Sequence, residues 1–376
     1  MNTHSIKRGR ALLCLSAFCG GLVFYAPIAT FYRQARGIDI FQITTIESIS
    51  LGVAMALEVP WGYVAERLGY KKTLCISFFI LALSKVVFWK ADTFFLFLIE
   101  RLLLAFANSG ISGVDTAYLS RLDNRQRTYG LYQACSMAGL VLVSVVFPFF
   151  SDAVGQSGLL TVFSSFLSFL CILFLPEMHM ARVERKGIHV PVFSLRLFRF
   201  LTAWALLSTV NQVVTVFLVQ LCYEKVSLDV SHFSYPFLAL SFVAILGNGS
   251  SSFVFGRHTK KAASFCFFLA LFGCTLLSFA NNLAMVLVAV LLLRLGCSLF
   301  APFSTLVQVR NSIGYDEATS LSIFQLYFSL IEIAMTPLFG YLAKTNIRSA
   351  LLLGSVLCLI ALVLVSRPRS LVLAET

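Results

Sequence analysis

The chain alternates long apolar runs with short polar intervals. Twelve runs can be delimited, at residues 11–32, 40–64, 73–89, 93–119, 129–150, 158–175, 200–222, 232–255, 262–280, 283–309, 318–343 and 349–366. Each approaches or exceeds the roughly 20 residues that a helix needs to cross a bilayer core. Runs of this kind predict helices, because a segment in hydrocarbon must satisfy its own backbone polar groups. The longest hydrophilic stretch, 176–199, divides the pattern into 1–175 and 200–376. The predicted fold class is therefore all-α and membrane-spanning, with twelve transmembrane helices in two six-helix bundles joined by a linker at 176–199.

Composition agrees with the pattern. Of the 376 residues, 59% are hydrophobic and 12% charged, with a mean hydropathy of +0.87. A soluble domain carries about 25% charged residues. The net charge of +12 does not signal nucleic acid, because the basic residues sit in the short intervals. With an even number of spans both termini share a side. Of the 29 Lys and Arg, 20 fall on that side, 7 on the other, and Arg101 and Arg294 fall inside runs. Excess positive charge marks the cytoplasmic face, so the termini are expected in the cytoplasm and the protein in the cell (plasma or inner) membrane. Lys7-Arg8-Gly9-Arg10 followed by an apolar run has the look of a leader, but no cleavage site is evident. It reads as a retained first helix. The ten cysteines lie in or at the ends of apolar runs without a C-x-x-C pair, and read as small buried hydrophobes.

The two halves echo one another. Arg101 in the fourth run and Arg294 in the tenth are 193 residues apart, and Gln133 and Gln325 in the fifth and eleventh are 192 apart. Each Gln follows an aromatic residue, Tyr132 or Phe324. Parallel six-helix repeats of this kind occur in secondary transporters.

The interval between the second and third runs carries the most specific motif. Gly62-Tyr-Val-Ala-Glu-Arg-Leu-Gly-Tyr-Lys-Lys72 reads as a short polar turn, with two glycines around an acid and a basic cluster at its end. It resembles the loop between helices 2 and 3 of the major facilitator superfamily, G-x-x-x-D-R-x-G-R-K. Gly62, Glu66, Arg67 and Gly69 match, with Glu for the usual Asp. Tyr70 stands where the family has Arg, and Lys71 follows as the basic residue. A weak echo, Gly256-Arg-His-Thr-Lys-Lys261, follows the eighth run. The resemblance implies two rocking six-helix bundles and a central cavity lined by helices 1, 4, 7 and 10 with parts of 2, 5, 8 and 11. It also implies a gating role for the loop, with Asp115 at the end of helix 4 pairing with Arg67 or Lys71.

Polar residues at helical spacing fall on those helices. Helix 4 has Arg101, Asn108, Ser112 and Asp115; helix 7 has Ser208, Asn211, Gln212 and Thr215; helix 10 has Arg294, Ser298 and Thr305; helix 11 has Gln325, Ser329, Glu332 and Thr336. An ionisable residue inside an apolar helix faces a cavity or a partner. Glu332, near the middle of helix 11, has three readings: a proton site, a contact for a cationic substrate, or a structural pair with Arg294. Glu47 in helix 2 is a second candidate for coupling or substrate. Arg101 and Arg294 suit an anionic substrate group or a neighbouring acid. Lys85 is expected to snorkel from the end of helix 3, and Glu100 is unassigned. Tyr25, Tyr32 and Tyr327 read first as packing, with cavity lining as the alternative.

No nucleotide-binding motif is present, so an ion gradient is expected to drive transport. The expected function is secondary active transport by alternating access, in the form of proton-coupled efflux of small lipophilic molecules. The alternative is an importer, symporter or uniporter, of a sugar, organic acid or amino acid. The Gly-Pro dipeptide that drug antiporters carry in helix 5 is missing, since Gly139 and Pro148 are well separated. No catalytic cluster marks an enzyme, and no cofactor or metal is implied. The expected partners are a small-molecule substrate, protons and membrane lipid, with no nucleic acid and function as a monomer.

Overall fold

The computed structural model describes residues 3–112, 114–119, 125–150, 152–177, 194–256, 259–312 and 317–366. Twelve of its helices are long and apolar enough to cross a membrane. They are α1 (Ile6–Gln34), α2 (Ile40–Glu58), α3 (Tyr70–Lys90), α4 (Phe94–Ile111), α5 (Gly130–Phe149), α6 (Val154–Leu173), α7 (Leu195–Lys225), α8 (Val230–Phe255), α9 (Thr259–Ser278), α10 (Leu283–Asn311), α11 (Ser320–Thr345) and α12 (Ile347–Ser366). No strand occurs among the described residues.

Short polar side chains set several helix starts. Thr93, Asp152, Ser194 and Asn282 precede α4, α6, α7 and α10. Each accepts from the backbone amide three residues on, at Leu96, Gly155, Leu197 and Met285. An amide of the first turn has no partner within the helix, so such a cap fixes where the helix begins. Asp152 and Ser194 start α6 and α7 several residues ahead of the apolar runs at 158 and 200.

The polar stretch 62–72 is mostly helix rather than turn. The helix of α2 continues to Leu68 and α3 opens at Tyr70, leaving Gly69 alone between them with φ +86°. Glu66, Arg67 and Leu68 are ordinary helix formers. The chain turns only at a residue that takes positive φ without a side-chain clash. The fourth run is likewise two pieces, α4 to Ile111 and a short helix Val114–Leu119.

Two compact units are formed. Among the described residues, the first comprises those up to 38, from 49 to 177 and 230–235, and the second 39–48, 194–229 and those from 236 to 366. Residues 178–193 of the dividing stretch, and Arg257 and His258 of the weak echo, lie outside the described residues.

In the first unit α1 packs along α5 and α6, and α3 along α4 and α6. Glycine makes the α1–α5 approach possible. A Cβ on Gly139 would stand 2.5 Å from the Phe18 carbonyl oxygen, and one on Gly21 would collide with the Ser136 carbonyl. Small residues bring helix backbones together in this way in lipid. The α1 span is broken: it is helical to Gly21, loses its regular turn, then continues as a 3-10 turn Ala26–Ile28 and a helix Ala29–Gln34. Backbone groups freed in apolar surroundings need partners, and α6 supplies them. Ser164 Oγ donates to the Leu22 carbonyl at 2.9 Å, and the Phe24 amide donates to Thr161 Oγ1 at 2.9 Å.

In the second unit α7 packs along α11 and α12, and α9 along α10 and α12. Adding six to each label of the first unit's pairings reproduces these four. The echo between the two halves of the sequence is thus an echo of packing. The α7 span is also irregular, π-helical over Val213–Leu218. It starts at the offset from Gly21 that separates Gln133 from Gln325. Phe300 centres the core of this unit, with Phe200, Trp204, Phe267 and Phe303 around it. The start of α2 belongs here too. Asp39 pairs with Lys344 at 2.9 Å, Phe41 meets Tyr341 edge-on, and Thr44 fills the space left by Gly340.

Candidate functional site

The first unit contains a buried knot of charge built from α1, α3 and α4. Glu100 is wholly buried, and Arg33, Lys85 and Arg101 approach its carboxylate at 3.6, 3.9 and 4.0 Å. Lys85 Nζ also donates to the Tyr25 hydroxyl at 2.9 Å. Aromatic rings enclose the group: Phe88 stacks on Tyr25 at 3.9 Å and on Tyr32 at 4.4 Å, and Arg33 lies over Phe88 and Phe97. Neither Glu100 oxygen accepts a hydrogen bond among the described residues. The carboxylate is therefore held by charge alone, in a setting where charge acts strongly.

This knot corrects the sequence expectation for Lys85 and agrees with the packing reading of Tyr25 and Tyr32. Lys85 does not snorkel; at 6% exposure it turns inward, because Glu100 offers a closer counter-charge than the membrane surface. Arg33, just past the first apolar run, is likewise buried, at 2% exposure. Tyr25 and Tyr32 are packing residues of the knot. A signal for it was present: by strict alternation, the ends of helices 1 and 3 and the start of helix 4 share one side, and each carries a charge there.

The second unit brings Glu47 and Glu332 together. Both are half-buried in apolar helices, and the field of Glu47 is felt at Glu332. Two carboxylates in one apolar setting repel, and a proton or a cation relieves that repulsion. The third reading of Glu332 fails, since no ion pair joins it to Arg294 among the described residues. Pro337 lies one turn beyond Glu332 within the continuous helix of α11 and cannot donate to the Ile333 carbonyl, which is left without its helical partner. Arg294 is half-buried on α10, and Ser298 Oγ donates back to its carbonyl at 2.8 Å. On α7, Asn211 is 5% exposed and Gln212 half-buried, immediately before the π-helical turn.

The remaining candidates fall as follows. Asn108, Gln133 and Gln325 are exposed, the two glutamines in matching fashion. Tyr327 hydrogen-bonds Thr202 through its hydroxyl at 2.7 Å and packs on Phe198. Of the loop motif, Arg67 ends the α2 helix, Gly69 is the turn and Lys71 lies in the first turn of α3. The Glu66 side chain lies outside the described residues. A Cβ on Gly62 would meet nothing within 4 Å among the described residues, so close packing does not account for that glycine here. Asp115 stands in the first turn of Val114–Leu119.

Comparison with known proteins agrees with this architecture. The family model of the Major Facilitator Superfamily matches residues 11–312. The chain belongs to the Major Facilitator Superfamily and is a secondary transporter by class. No curated protein sequence matches it. Among solved structures it is similar to a mutant of the nucleoside transporter NupG, with 16% identity, a TM-score of 0.78, and coverage of 95% of this chain and 98% of that one. It is similar to a bacterial homolog of the human lysosomal transporter Spinster, in an inward-facing and occupied conformation (13% identity, TM-score 0.73, 96% of both chains). It is also similar to the human organic anion transporter MFSD10 (14% identity, TM-score 0.62, 96% and 99%). At these identities the likeness is one of fold.

Proposed function

We infer that the protein is a proton-coupled secondary transporter that exports small lipophilic molecules by alternating access, with its termini in the cytoplasm and the monomer as the working unit. The observation that carries this reading is the pair of carboxyls, Glu47 and Glu332, half-buried in apolar helices of one unit. An acid that gains and loses a proton as its surroundings change links the gradient to the conformational cycle. The long apolar spans, rich in Phe, suit a lipophilic cargo. The test is proton movement in liposomes carrying a pH-sensitive dye. Addition of substrate moves protons in the wild type, and Glu332→Gln abolishes that movement. Substrate flux without proton movement, unchanged in Glu332→Gln, overturns the reading.

A second reading is an importer of a hydroxylated nutrient. The exposed amides Asn108, Gln133 and Gln325 favour it, since each offers both a donor and an acceptor. Net uptake of a sugar or nucleoside, with no export of lipophilic compounds, would establish it.

A further inference from the structure

The second unit holds a permanent positive charge, Arg294, that has no counter-ion among the described residues. Arg294 lies well inside the span Leu283–Asn311, and a guanidinium keeps its charge in any protein setting. Its Nε is sealed from solvent and donates to nothing, and Arg294 forms no ion pair among the described residues. The internal repeat sharpens the point. In the first unit the equivalent Arg101 lies 4.0 Å from Glu100. The repeat places Leu293 where Glu100 stands, and Leu293 is wholly buried. The second unit thus has the arginine without the neighbouring acid. Arg294 is only half-buried, so part of its side chain is open.

Two more polar atoms lack partners at the same depth. Asn211 Oδ1 and Thr336 Oγ1 are buried and make no hydrogen bond, in residues 5% and 1% exposed. The level is fixed by Gly354 on α12, where a Cβ would stand 3.4 Å from Val210, 3.5 Å from Cys274 and 3.6 Å from Phe339. A Cβ on Gly273 of α9 would stand 2.8 Å from the Leu293 amide nitrogen, which puts Leu293 of α10 beside Cys274 at this level. Asn211 adjoins Val210, Thr336 is a turn from Phe339, and Arg294 adjoins Leu293. All three therefore lie within about 5 Å of one depth, the rise of one helical turn. At that depth α7 turns π-helical from Val213 and α11 carries Pro337. Irregular helices and unsatisfied polar atoms at membrane depth mark ligand sites in transporters.

We propose that this layer receives an anionic group, a carboxylate or its like, on the transported molecule. Arg294 is the forked donor that holds it, Thr336 adds a hydroxyl donor, and Asn211 Oδ1 accepts from a hydroxyl or N–H elsewhere on the same molecule. The proposal rests on the transporter reading above and narrows it: the cargo is a lipophilic acid, not a lipophilic cation.

The test is protection of the detergent-solubilised full chain against thermal unfolding. Acetate, benzoate and 2-naphthoate are compared at pH 7 with their primary amides, which have the same skeletons without the charge. At least one carboxylate raises the unfolding midpoint while its amide does not. Its apparent affinity falls at least tenfold in Arg294→Gln and severalfold in Arg294→Lys, and is unchanged in the surface control Lys90→Gln. The proposal is overturned if no carboxylate binds better than its amide, or if the preference survives in Arg294→Gln. The carboxylate-over-amide comparison in the wild type stands even if a variant does not fold. Binding at fixed pH needs no gradient, so loss or retention of proton movement in Glu332→Gln liposomes bears on coupling alone.

Discussion

At the scale of single residues, charge in the two units is handled in opposite ways. Glu100 is enclosed with three cations, so removing its charge leaves them facing one another in a buried space. Breaking a buried pair costs about 3–5 kcal/mol. Glu100→Gln is expected to lower the unfolding midpoint by many degrees in a thermal melt, and Lys85→Met/Glu100→Leu to recover part of the loss. A midpoint unmoved in Glu100→Gln would refute the structural importance of the knot. Asp39 and Lys344 present the contrary case, with side chains 36% and 53% exposed. Burial pushes the Asp39 carboxyl up, but its hydrogen bonds to Lys344 and the backbone outweigh that and hold it below the usual value. A depressed carboxyl contributes stability that is present above its unfolded value, about 3.9, and is lost as pH falls through the folded one. Melts between pH 5 and 8 should therefore show no step from this pair. Asp39→Asn should cost about 0–1 kcal/mol, as exposed pairs do.

At the scale of helices, glycine and capping residues decide where elements start, turn and touch. Gly69 holds a backbone conformation that costs another residue about 1–3 kcal/mol, while Gly62 has space for a methyl group. Gly69→Ala is expected to destabilise the protein measurably in a melt, and Gly62→Ala to leave the midpoint where it is. Gly139→Leu is expected to be more severe than either, because α1 and α5 have no room for it. The spans themselves were legible in the sequence, since hydropathy fixes which residues lie in lipid. Their ends were less so. Asp152 and Ser194 are capping signals that hydropathy ignores, and the helix of Glu66, Arg67 and Leu68 is hidden by their polarity. The break in α1 was not legible, because nothing in Gly20-Gly21 shows that Thr161 and Ser164 of a distant helix will receive the freed backbone groups.

At the scale of the whole molecule, the repeat is the organising fact. It was readable from Arg101 and Arg294, and from Gln133 and Gln325, and the packing of the two units repeats it helix by helix. The candidate site was only partly readable. Glu332 and Arg294 stand out as charges in apolar runs, yet the sequence left open whether they pair. Alternation put Lys85, Arg33 and Glu100 on one side, but it did not show that they meet, because spacing along one helix does not reveal a partner on another. The central claim is that this fold uses a proton gradient to move its cargo. The most direct measurement is flux of 2-naphthoate, ethidium and uridine across proteoliposomes under an imposed pH gradient, with and without a protonophore. The account predicts that 2-naphthoate moves against its concentration gradient, that ethidium does not, and that the protonophore stops the movement. Flux that only dissipates a concentration gradient, at the same rate with the protonophore present, would contradict the account and leave a uniporter.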